Sequence, residues 1–403
     1  MIEAVKSLFP SRLHMHIVVM TRIMPGHSLG GMQKQTMDLC SGFVKLGHDV
    51  TVITTGRKDG KTSETIDGVK IYFLHGSKPG YYSRKWNALC NKKIRQLHQE
   101  HPIDVIHSQS MGAIGILKWA KQQAVPIVST WHGTSLTEIS TFLASASYHP
   151  RYWHWLLIMP TTMLLRYFTT DLAVRRASEK ITLVSPTLEP NMKFLARNKV
   201  ITIPNGIELP ARIERSGQKP IQCIAIGRME KEKGIHFAIR SIANLPEELR
   251  NQVRLNVVGE GAYLTKLQQL SKSLNVDQNV AFHGRLDDAS LEKIYADSRI
   301  HLMPTTRHEG LPLTILEGMA YSMATIASAI GGITGVITDG HDGLLIQPGN
   351  QAELDTALVN LLTDNELIQT MGNAARQTAE DRYSKRRMVD ETMAVLIEVV
   401  NRD

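Results

Sequence analysis

The chain of 403 residues carries 46 Lys+Arg against 38 Asp+Glu, a formal net charge of +8, and is 42% hydrophobic and 21% charged. These values describe an ordinary soluble protein long enough for two domains and a large core, and the positive excess points to an anionic partner such as nucleotide, phosphate, lipid or nucleic acid. Cys40, Cys90 and Cys223 are odd in number and far apart, which excludes a disulfide framework and a CxxC metal site and fits a reducing cytoplasm.

His14 and His16 interrupt the apolar start of the chain, so no signal-peptide core is predicted, and no run of about 18 apolar residues predicts a membrane span. His16–Met20 reads as a first strand, followed by a loop through Pro25 and Gly30-Gly31, a helix from Gln33 to Leu46, and a strand at Val50–Thr54. This is a βαβ opening with a glycine loop where parallel sheets take ligands. Val69–Leu74, Val105–His107 and Ile127–Ser129 continue the strands, the last entering His132-Gly133; a helical region fills Leu136–Ser178, and Ile181–Val184 and Ile201–Pro204 follow, with a turn at Asn205-Gly206. Residues 208–220 are polar and aperiodic, which marks a linker. Beyond it, strands at Ile221–Ile226, Leu255–Val258, Val280–Phe282, Ile300–Met303, Thr325–Ala327 and Leu344–Ile346 alternate with helices. Two such alternations predict two doubly wound Rossmann-like α/β domains, residues 1–207 and 221–384, facing across a cleft that is the expected site.

The densest motif is His308 to Ala320, HEGLPLTILEGMA, in which Glu309 and Glu317 stand eight residues apart. Proline is tolerated in a helix only in the first turn, so Pro312 predicts a helix starting near Leu311, with Glu309 in the loop and Glu317 in the helix. Both carboxylates can then face the groove at a strand's carboxyl end, where helix N–H groups and a partial positive charge attract an anion. The carboxylates would accept from hydroxyls while the backbone of Gly310, Leu311, Pro312 and Leu313 holds phosphate, an arrangement suited to a phosphorylated polyol. A glycine pair, Gly331 and Gly332, lies one apolar run further on.

Glu-x7-Glu in EGLPLTILEGMA followed by a glycine pair resembles family 4 of the retaining GT-B glycosyltransferases, the glycosyl transferases group 1. Gly227-Arg228 and Lys233-Gly234 match that family's diphosphate-holding cations, and chemistry supports the match, since a departing diphosphate needs fixed cations as charge builds on its oxygen. The resemblance implies a cytoplasmic, metal-independent enzyme moving a hexosyl-type sugar, with retention, from a UDP-, GDP- or ADP-sugar to a hydroxyl of a cell-envelope glycan or lipid-linked saccharide. Arg228 and Lys233 would hold the diphosphate, Glu309 the sugar and Glu317 the ribose; Gly30-Gly31 would close over the diphosphate, His132 would lie near the reacting sugar, and the loop of Arg285 would back the nucleobase. The catalytic set is then Glu309, Arg228, Lys233 and His132. The terminal helix, residues 385–403, would cross back onto the first domain. Two departures bear on the hexose contacts: Gly335 stands where the family usually has glutamate, and Tyr321-Ser322-Met323-Ala324 replaces its small-Gly-x-Pro loop.

Other readings remain in view. A nucleotide-sugar epimerase or a phosphorylase could share the fold, and a non-catalytic nucleotide-sugar-binding subunit would bind donor without turnover. Gly26-His27-Ser28-Leu29-Gly30 fits G-x-S-x-G, but Thr21–Pro25 separates it from the strand, unlike a hydrolase elbow. Gly259-Glu260-Gly261 lacks the third glycine of a dinucleotide fingerprint, and no GxxxxGK[ST] occurs. No Asp-x-Asp offers paired carboxylates to Mg²⁺ or Mn²⁺, so no metal is predicted. Lys78–Trp86 and Arg151–Trp155 mix cations with aromatic rings, which predicts contact with an anionic membrane surface on its inner face; no nucleic-acid module is present.

Overall fold

Strands form where apolar and β-branched residues run without interruption, because a parallel strand covered on both faces has no solvent side. His16–Met20 (β1), for example, is buried at all five positions. The computed structural model describes residues 14–27, 30–136, 139, 153–190, 192, 197–213 and 220–402. Ser28 of the G-x-S-x-G match, and the Arg151 and Tyr152 end of the second aromatic cluster, lie outside them.

The chain divides into two compact units. In the first, β1 is joined by β2 (Asp49–Thr55), β3 (Ser63–Ile66), β4 (Val69–Leu74), β5 (Val105–Gln109), β6 (Ile127–Trp131), β7 (Lys180–Leu183) and β8 (Val200–Thr202), in the order β3-β4-β2-β1-β5-β6-β7-β8. All these pairings are parallel except β3 with β4. β3, reading SETI, escapes the sequence patterns because an edge strand with one neighbour needs no apolar run. The helix Lys385–Val400 belongs to this unit and packs on the helix Gly31–Lys45, where a Cβ on Gly42 would stand 2.5 Å from Val389 Cγ2. Lys385 Nζ also reaches Asp38 Oδ1 at 2.7 Å.

The second unit holds β9 (Ile221–Ile226), β10 (Val253–Val258), β11 (Val280–Gly284), β12 (Ile300–Met303), β13 (Ala324–Ser328) and β14 (Leu344–Ile346), all parallel, in the order β11-β10-β9-β12-β13-β14. Its core gathers Ile221, Leu255, Ile300 and Ile326 under the helices Ile235–Asn244 and Gln351–Thr363. The stretch predicted as linker is anchored at its start: Pro210 accepts from Arg376 at 2.8 Å, and Arg212 pairs with Glu380. Both units therefore have the doubly wound α/β topology that the alternation predicts.

Candidate functional site

In the second sheet β9 and β12 are neighbours although four α-helices and two strands separate them in sequence. Strand order reverses there, and at such a point the loops leaving the carboxyl ends diverge and open a crevice for ligand. Residues 227–234 leave β9, and residues 304–312 leave β12.

Hydrogen bonds stitch the two loops together. Thr305 Oγ1 and the Thr306 N–H both donate to the Glu232 carbonyl, each at 2.9 Å. Gly234 sits at φ 74°, and a Cβ there would stand 1.8 Å from the Pro304 carbonyl oxygen. Only glycine permits that approach. Gly234→Ala is therefore expected to lose roughly 3 kcal/mol or more, from left-handed strain plus overpacking. Equilibrium denaturation measures it; a variant as stable as the parent would refute the packing argument.

The approach brings Lys233 Nζ to 2.6 Å from Glu309 Oε1, each side chain 17% exposed. Glu309 is fixed from its other side by the glycine pair: the Gly332 N–H donates to its carbonyl at 2.8 Å, and Gly331, at φ 57°, passes so close that a Cβ would stand 2.5 Å from the same oxygen. The pair is thus a clamp on the backbone of Glu309. Gly335 ends the 3₁₀ turn Gly331–Gly335.

The helix begins at Leu313, two residues later than predicted, with Pro312 as its N-cap at φ −70° and ψ 120°. That extended ψ cannot continue a helix, and Pro312 has no N–H to give a phosphate. Donors in this stretch come from Gly310, Leu311 and Leu313; Leu311, Pro312 and Leu313 bury their side chains beneath the loop. Glu317 lies inside the helix, half-buried, and its Oε2 accepts from Tyr295 Oη at 2.7 Å. Burial, and then the nearby Glu317 charge, push the Tyr295 hydroxyl well above its ordinary pKa, so it remains a donor. Tyr295 also stacks on Tyr321, with ring centroids 5.2 Å apart.

Arg228 is exposed and pairs with Glu230 at 2.6 Å; Arg307 approaches the other oxygen of Glu230 at 3.7 Å. Arg228, Lys233 and Arg307 are thus set against Glu230 and Glu309 within these loops. Arg285 is exposed, beyond the Gly284 carbonyl that accepts from Gly259 N–H at 2.7 Å. Glu230, Tyr295 and Arg307 escape sequence reasoning, since each reads as an ordinary loop charge or core aromatic until the fold sets it beside a motif residue. Among the described residues no group of three His, Cys, Asp or Glu side chains is arranged to hold a metal.

In the first unit Gly31 opens the helix Gly31–Lys45 and Gly30 precedes it at φ −179°, an extended conformation open to any residue. Nothing in the backbone there requires glycine. His132, after β6, donates its Nε2–H to Oε1 of Gln109, the last residue of β5, at 2.8 Å. Burial, helped by the Arg22 charge, lowers the His132 pKa to about 4 and keeps the ring neutral.

The aromatic rings at 78–86 are mostly turned into the core. Trp86 is completely buried and Tyr82 packs in the same core, leaving Tyr81 exposed with Lys78 over its ring at 4.3 Å. The cause is helical periodicity: Trp86, Cys90, Ile94 and Leu97 form the inner stripe of the helix Arg84–Glu100.

Residues 29–210 match the model for Glycosyltransferase Family 4, and residues 209–378 match that for Glycosyl transferases group 1. Among curated proteins, the chain is 26% identical over 362 residues to sulfoquinovosyl transferase SQD2 of Arabidopsis thaliana, a match covering 83% of the chain and 64% of that protein. Among solved structures it is similar to the sucrose-phosphate synthase of Thermosynechococcus elongatus, with TM-score 0.75 and 18% identity over 94% of this chain and 98% of that one. It is also similar to Anabaena HepE in complex with UDP-glucose, with TM-score 0.73 and 16% identity over 95% and 99% of the two chains. The two family models meet end to end across most of the sequence, and the chain belongs to the group 1, family 4 glycosyltransferases of GT-B fold.

Proposed function

We propose that the protein is a retaining, metal-independent glycosyltransferase that moves a hexosyl-type sugar from a nucleoside-diphosphate sugar to a hydroxyl of a cell-envelope glycan or lipid-linked saccharide, at the cytoplasmic face of a membrane. The observation that carries this reading is the Lys233–Glu309 contact at the switch point of the second sheet. A cation and a carboxylate already in register can part around a glycosyl phosphate: the ammonium exchanges Glu309 for a diphosphate oxygen, and the freed carboxylate accepts from sugar hydroxyls. Glu317, oriented by the Tyr295 hydroxyl at its Oε2, would take the ribose hydroxyls.

Arg228 joins Lys233 on the diphosphate, and the helix starting at Leu313 adds its first N–H groups and positive end. These fixed charges stabilise the leaving group as the glycosidic bond breaks, without a metal. Neutral His132 is available as a hydrogen-bond partner for the reacting sugar. The UDP-glucose complex of the similar Anabaena protein supports a uridine donor as the first to try.

A thermal-shift screen of UDP, GDP, ADP and their sugars tests this. At about 100 times the dissociation constant the right donor adds ~2.7 kcal/mol of stability, a rise of a few degrees in Tm. Lys233→Ala should keep most of that rise, because its cation counts mainly as charge builds on the leaving group. No shift with any of these nucleotides would defeat the donor assignment.

A further inference from the structure

The first unit presents an apolar face that the donor chemistry does not use. Ile158, Leu164, Leu165 and Phe168 are 48, 43, 64 and 59% exposed on the helix Trp153–Arg166 and the π-helical turn Tyr167–Asp171 that follows it. With Thr161, Thr162 and Thr169 they recur at three- and four-residue spacing, so they share one side of the helix. The three threonine hydroxyls donate to the carbonyls of Ile158, Met159 and Leu165 at 2.9, 2.9 and 2.8 Å, which leaves their methyl groups outermost. Between 158 and 170 the one charged residue is Arg166, half-buried and bonded to Ser135 Oγ at 2.8 Å.

The charge of the chain is unevenly divided. The second unit, residues 139–156 and 207–384, holds 18 Lys+Arg and 22 Asp+Glu, a net of −4, which leaves 28 of the 46 cations and 16 of the 38 anions, a net of +12, for the first. An uncharged apolar stripe about 15 Å long on a strongly cationic unit joins apolar burial to electrostatic attraction, the two terms that hold a protein on an anionic interface. A second copy would set two cationic units face to face, and nucleic acid would gain nothing from a stripe without donors. No helix among the described residues is long and apolar enough to span a bilayer.

We infer that this helix seats the first unit on an anionic lipid bilayer, with Ile158, Leu164, Leu165 and Phe168 entering the boundary between headgroups and acyl chains while the unit's excess cations meet anionic headgroups. The inference rests on the membrane element of the proposed function and names the structure that makes the contact, in place of the buried Trp86 cluster. It needs nothing from the donor site.

Cys40, Cys90 and Cys223 are all buried, so Leu165→Cys offers a single accessible thiol for an environment-sensitive dye. Vesicles of phosphatidylglycerol are expected to shift its emission to shorter wavelength, and vesicles of phosphatidylcholine alone to shift it far less. In co-sedimentation the double variant L165E/F168E should partition at least about tenfold more weakly onto phosphatidylglycerol vesicles, through lost apolar burial and added repulsion. Unshifted emission, undiminished partitioning of the double variant, or a concentration-dependent dimer that the double variant abolishes would each overturn the inference. Nucleotide-induced thermal shifts, measured on the same variants, separate its failure from failure of the donor assignment.

Discussion

Lys233→Ala is expected to lower kcat by roughly 10²–10³-fold with a much smaller change in KM, because a fixed cation acting on a developing oxyanion contributes mainly in the transition state. Arg228→Ala is expected to cost less. Lys233 is 17% exposed and held between two stitched loops, whereas the Arg228 side chain is 57% exposed and tied to Glu230. Water screens an exposed charge and weakens its pull on a phosphate. Steady-state rates with the donor found by thermal shift give the comparison, and Lys233→Arg, which keeps the charge but changes its shape, should recover part of the loss. If Arg228→Ala proves the more damaging of the two, the leaving group is not held where we place it.

A second large effect is expected on acidification. His107, His132, His236 and His301 all have pKa values lowered from 6.5 to about 4, with burial as the largest cause in each. His107 and His301 have no exposed surface; neither ring nitrogen of His301 has a hydrogen-bond partner, and His107 Nε2 bonds Thr130 Oγ1 at 2.7 Å. The sign follows from proton counting. The unfolded chain takes up protons below about pH 6.5 while the folded rings stay neutral, so stability is complete above that pH and declines as pH falls toward 4. Each fully buried ring contributes about 1.4 kcal/mol per pH unit across that window. Denaturant unfolding at pH 7.5, 6 and 5 reads the slope, and His301→Leu, close in volume and uncharged, should reduce it by about one such contribution. An unchanged slope would show that His301 does not stay neutral in the fold.

How far the site could be read in advance depended on the range of each interaction. Glu309, Glu317, Arg228 and Lys233 stand out because their motifs are local, a few residues joined by glycine and proline whose backbone limits are chemical constants. Yet no spacing shows that Lys233 and Glu309 touch, since that contact depends on β9 lying against β12 and on Gly234 slipping past Pro304. Tyr295 is hidden for the same reason: in sequence it is one aromatic among helix residues, and the fold alone sets its hydroxyl against Glu317. The aromatic and basic stretch at 78–86 misleads because composition says nothing about which side of a helix a ring occupies. Trp86 faces the core because Cys90, Ile94 and Leu97 lie on its side, about one, two and three turns away.

By itself the sequence determined where the strands other than β3 lie, that they alternate with helices in two successive sets, and which loops carry the charges. These follow from local rules: uninterrupted apolar runs suit buried parallel strands, and glycine and proline limit what the backbone can do. The tertiary structure alone decided which loops meet, which partner each charge takes, and which apolar residues remain at the surface. Those depend on strand order and on contacts between residues far apart in the chain, and a local pattern carries no information about either.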